Sequence, residues 1–127
     1  MRDLFVSLLI VVVLISSWLF FDAYSKEMTT KMSETITTVI VPSAEAENWD
    51  DCIKMINKTE RQWSSFKRIA HLFLGAEDLY DIDDAFARSL EFAQAFDVSN
   101  TSGELSSLAN QLILLNSQEK ITWGNIF

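Results

Sequence analysis

The chain has 127 residues, room for one domain and not for two. Eighteen acidic against ten basic side chains leave a formal net charge of −8, a surface that repels nucleic acid and anionic lipid headgroups and so argues against a nucleic-acid partner. The single cysteine, Cys52, excludes an intrachain disulfide. It reads as a small apolar residue on a helix.

From Leu4 to Phe21 every residue is apolar except Ser7, Ser16 and Ser17, and fourteen are Leu, Ile, Val or Phe. As a helix the run rises about 27 Å, close to the roughly 30 Å of hydrocarbon in a bilayer. Each of the fourteen favours insertion by roughly 0.3–0.6 kcal/mol near the centre, which outweighs three serines. A cleaved secretory signal would have a shorter core and a small-x-small site after it. Phe20-Phe21-Asp22-Ala23-Tyr24 offers none, and no cysteine lies close enough for a lipoprotein. Residues 1–24 are therefore expected to be an uncleaved signal-anchor of bacterial type. Lys26 and Lys31 nearly offset the N-terminal positive charge of Arg2. The short N-terminus and large remainder favour residues 25–127 as an acidic extracytoplasmic domain.

Three Gly and one Pro in the chain point to long helices. Met28, Met32, Ile36, Val39 and Ile40 recur at three-to-four spacing, so the anchor helix should continue with one apolar stripe. The β-branched run from Thr35 to Val41 also suits a strand, but no other segment offers it a pairing partner. Pro42 should end this helix by disfavouring helical geometry at Val41. The next helix should start at Asn48 as cap, with Asp51 in its first turn and Ser43 as an earlier candidate cap. Its apolar face is Trp49, Ile53, Ile56, Trp63, Phe66 and Ala70. A third follows the acidic entry Glu77-Asp78, carrying Ile82, Phe86, Leu90, Ala93 and Phe96. Ser99 to Gly103 reads as a loop, and Thr101 with Glu104 has the spacing of a capping box. A fourth helix then shows the seam Leu105, Leu108, Leu112 and Leu115. The segment Ile121 to Phe127 is apolar and reads as non-helical. The expected fold is all-α, a transmembrane helix continuing into an antiparallel bundle of about four helices.

Candidate chemistry is sparse. His71, the one histidine, lies among Ile69, Leu72, Phe73 and Leu74 and reads as a packing or boundary residue. Glu77, Asp78, Asp81, Asp83 and Asp84 form the best metal candidate, yet lack the residue order and turn glycine of a helix-loop-helix calcium site. They read as a solvated helix entry. No nucleophile elbow or phosphate-binding glycine loop stands out, so no catalytic, cofactor or metal residue is assigned and no enzyme activity is expected. Trp49, Trp63 and Phe66 read as core, with a small-molecule pocket as the alternative. In the tail, Trp123, Ile126 and Phe127 are candidate partner-binding residues, because an exposed aromatic terminus invites association.

The hydrophobic N-terminus, Asn48-Trp49-Asp50, Trp63, the Phe73-Leu74 and Glu77-Asp78 passage, Ala87-Arg88-Ser89-Leu90 and the terminal Asn125-Ile126-Phe127 together resemble the domain of unknown function 4363 family. The resemblance spans nearly the whole chain. It implies a short single-pass membrane protein of Gram-positive bacteria with a helical domain and no assigned activity, and it hints at an integral membrane partner. Family members often carry a His where this chain has Ala76, so chemistry proposed for that His does not carry over. Two function classes follow: an interaction module that docks on a membrane partner, or a ligand-sensing bundle that acts through one.

Overall fold

The computed structural model describes the backbone of residues 1–126 and the side chains of residues 1–115. Its elements are α1 (Arg2–Thr35), a π-helical turn (Ile36–Ile40), α2 (Val41–Glu45), α3 (Trp49–Ala70), α4 (Ala76–Gln94) and α5 (Val98–Ile126). No strand occurs among the described residues. The first three join into one rod, Arg2–Glu45, long and apolar enough to cross a membrane. Four rods therefore make the molecule. Each packs on its sequence neighbours, and α5 closes the ring on α1. The cross-contacts run antiparallel: Phe21 meets Phe66 and Phe73, Trp49 meets Phe96 while Trp63 meets Asp83, and Ser33 donates to the Ala109 carbonyl at 3.1 Å. The expected all-α antiparallel bundle is what forms.

Pro42 does not end the first rod, a correction to the sequence reading. Its ring crowds the carbonyl four residues back and it has no N–H to donate. The coil widens just before it: the Val41 N–H reaches back five residues to the Ile36 carbonyl. Pro42 then falls in the first turn of α2, where a missing N–H is tolerated. The β-branched run stays helical because Ile36 and Ile40 are fully buried in the bundle. Hydroxyls of Thr35, Thr37 and Thr38 donate to carbonyls one turn back, which satisfies them within the helix.

Asn48 occupies the cap position of α3, but its amide donates to Asp51 Oδ2 at 2.8 Å and makes no side-chain cap bond to the backbone. Of the expected α3 face, Ile56, Trp63, Phe66 and Ala70 are fully buried, while Trp49 and Ile53 pack half-buried at its edge. In α4, Ile82, Phe86 and Ala93 are buried as expected, and Leu90 is half-buried. Phe96 departs from its expected face. It lies past the end of α4 with φ 58°, left-handed for a bulky residue, and is 65% exposed against Trp49.

The loop expected over Ser99 to Gly103 is instead the opening of α5. The cap is Asp97, whose carboxylate accepts the Asn100 N–H at 3.0 Å and the Asn100 amide at 2.7 Å. Thr101 is buried inside the helix, and Glu104 accepts from Arg88 Nε at 2.8 Å in place of the expected box. The Leu105, Leu108, Leu112 and Leu115 seam is buried as expected. The tail read as non-helical falls within the range of α5 as far as Ile126.

Candidate functional site

The side chains singled out by the sequence do not converge on one centre. Trp63 and Phe66 are core: both are fully buried, with ring centroids 5.6 Å apart. The helical spacing of Trp63 and Lys67 turns both toward α4. There the Trp63 indole donates to Asp83 Oδ1 at 2.7 Å and Lys67 Nζ donates to Asp83 Oδ2 at 2.9 Å. One carboxylate thus pairs a buried N–H with a part-exposed ammonium, which removes the cost of burying the indole donor. Sequence reasoning assigned Asp83 to a solvated run and missed this role. The signal available was a tryptophan in an apolar stripe with its polar N–H to satisfy.

The rest of the acidic run points elsewhere. Glu77 and Asp78 sit in the first turn of α4, as the sequence suggested. Asp78 and Asp81 line a small cleft with Ile82, Gln111, Leu114 and Leu115. Among the described residues no group of three His, Cys, Asp or Glu is placed to hold a metal ion. His71 terminates α3, exposed, with its ring edge-on to Tyr80 at 6.5 Å. Cys52 is buried, and burial pushes its thiol pKa up. Ahead of α5 the Asn100 backbone N–H, and then its side-chain amide, hold the Asp97 carboxyl below the usual carboxylate range.

A groove opens where α1 leaves the bundle. It is lined by Ser16, Ser17, Phe20, Phe21 and Tyr24 of α1, by Ile69 at the end of α3 and by Phe73 in the turn after it. Phe21 and Phe73 stack there with centroids 4.3 Å apart and ring planes within 9°. No sequence pattern marks this meeting, since 52 residues separate the two rings. The side chains of the candidate partner-binding residues Trp123 and Ile126, together with all of Phe127, lie outside the described residues.

No curated protein and no solved structure matches the chain. The model of the family described as Domain of unknown function (DUF4363) matches residues 19–126. That match starts near the end of the apolar run and covers the whole bundle, so the chain belongs to the domain of unknown function 4363 family.

Proposed function

We propose that the chain is a single-pass bacterial membrane protein whose residues 1–24 act as an uncleaved signal-anchor. Residues 25–127 then stand outside the cytoplasm as an interaction module docking on an integral membrane partner. The observation that carries this reading is the bare lower part of α1. Its consecutive residues Leu8 to Ile15 are all exposed large hydrophobics, two full turns with no polar side. An exposed patch of that kind exceeds what soluble monomers carry, and lipid tails are the surroundings that suit it. Interface-type anchors in the tail, Trp123, Ile126 and Phe127, support the docking part. In this reading the chain binds a partner and performs no reaction of its own.

Orientation is tested with Ser65→Cys in a Cys52→Ala background. An impermeant maleimide should label intact protoplasts, whereas labelling only after lysis would reverse the topology. Docking is tested by mild-detergent purification of the full chain and of a chain truncated after Thr122. The full chain should recover a membrane protein that the truncated chain loses, with little change in melting. Equal recovery by both chains would overturn docking through the tail. A small molecule that raises the melting temperature with no protein recovered would favour the sensing bundle.

A further inference from the structure

We propose that the end of α3 and the turn that follows it, Ile69 to Leu74, form a second membrane-contacting element that seats the foot of the bundle in the interfacial zone of the bilayer. This rests on the reading that residues 4–21 span that bilayer.

The turn has no freedom over its height. Phe73 stacks on Phe21, and Phe21 is the last residue of the apolar run before Asp22. Ile69 and Phe73 also line the groove that reaches down α1 to Ser17 and Ser16. Ser16 lies five residues before Phe21, about 7 Å further along the helix axis. The turn therefore leans against the side of the span below its upper end, at a depth where amphipathic elements rest in the boundary between headgroups and acyl chains.

Its chemistry suits that zone. Leu72 is 79% exposed at the tip and Ile69 is 43% exposed beside it. Phe20 is also exposed on the neighbouring face of α1, and the half-buried Tyr24 stands one turn above it. Aromatic rings with one apolar and one wet side concentrate at this level of a membrane. Charges bracket the depth. The Asp22–Lys26 pair, at 3.2 Å, lies just above the run on α1. Exposed Arg68 precedes the turn and exposed Glu77 follows it. Between them Ile69 to Leu74 is apolar but for the exposed His71, whose ring lies edge-on to Tyr80 and, with an apolar body and a polar tip, suits the same boundary. The occupant is thus the bilayer already gripped by α1, because covalent continuity brings the turn to it.

The test uses the full chain in a Cys52→Ala background with single cysteines at Ile10, Leu72 and Ala46. Each carries an environment-sensitive fluorophore in phosphatidylcholine vesicles whose acyl chains are brominated near the headgroup or near the bilayer centre. Leu72→Cys alters an exposed side chain, so the fold should be kept. The Ile10 probe should be quenched by the deep bromines and the Leu72 probe by the shallow ones. Quenching at Leu72 should exceed that at Ala46, in the distal turn, several-fold. Equal quenching at Leu72 and Ala46, with Ile10 still quenched, would overturn the seat and leave the span standing. An unquenched Ile10 probe would overturn the span itself. Protection of Leu72 from aqueous iodide in native membranes but not in pure lipid vesicles would assign the turn to a protein surface and reject the lipid seat.

Discussion

The two halves of the first rod obey different rules. From Leu4 to Phe20 the helix is apolar but for three serines and exposed but for the half-buried Trp18. From Phe21 upward the buried positions are Phe21, Ser25, Thr29, Met32, Ile36, Ile40 and Ala44, one every three or four residues, with Ser33 buried beside Met32. Those 23 residues at 100° each would drift roughly 140° past six full turns of an α-helix, carrying Ala44 off the face that Phe21 defines. The π-helical turn Ile36–Ile40 absorbs one residue and cuts the drift to roughly 40°. The comparison teaches that the lower half needs only composition, whereas the upper half needs register, and that the register is repaired just before Pro42.

The largest expected effect tests the upper half. Ile36→Ala removes a fully buried side chain beside the π turn and should destabilise the bundle by about 2–5 kcal/mol. Ile10→Ala, with nothing packed on it, should leave the melting of the detergent-solubilised chain unchanged. Equal losses for the two variants would erase the distinction between the halves.

Next comes the lower half. Val12→Arg places a charge mid-run and should disfavour insertion by roughly 2.5–3.5 kcal/mol. The chain should shift from the membrane fraction to the soluble or degraded fraction, while whatever bundle is recovered melts as wild type. Retention in alkaline-washed membranes would mean that this stretch is not in lipid.

The smallest effect sharpens the contrast through pH. No titratable side chain lies between Leu4 and Phe21, so membrane retention should not respond as pH falls through and below the carboxylate range. The bundle should. Asp97 has its folded-state pKa lowered by the Asn100 backbone N–H and amide. The stability it contributes is complete above its unfolded pKa and fades as pH falls through the lowered folded value. Asp97→Ala should lower the melting temperature at neutral pH, with the gap to wild type closing in acid. A gap that is constant with pH would remove the carboxylate from the cap.

Much of the fold was legible because it is written in local periodicity. The α3 and α5 stripes put Ile56, Trp63, Leu105 and Leu112 in the core, and each is fully buried. What stayed hidden depends on non-local competition. Ser99 to Gly103 has loop composition, yet Thr101 is fully buried and the segment is helical. Burial in the bundle wins there over weak intrinsic preference. Phe96 fits the α4 period but falls beyond the helix end, which no periodicity marks. Candidate chemistry fared similarly. The Trp63–Asp83–Lys67 link joins residues 16 to 20 apart across two helices, and the Phe21–Phe73 stack joins residues further apart still. Neither leaves a spacing signature.

The unbroken passage of the first rod through Pro42 also makes it a ruler. With residues 4–21 in lipid, the 24 residues from Asp22 to Glu45 rise roughly 36 Å above the bilayer. The corner where Trp49 meets Phe96 is carried at about that height, and energy transfer from an Ala46 probe to a labelled lipid surface would measure it. A multi-pass neighbour with short external loops would then touch only the lower part of this molecule.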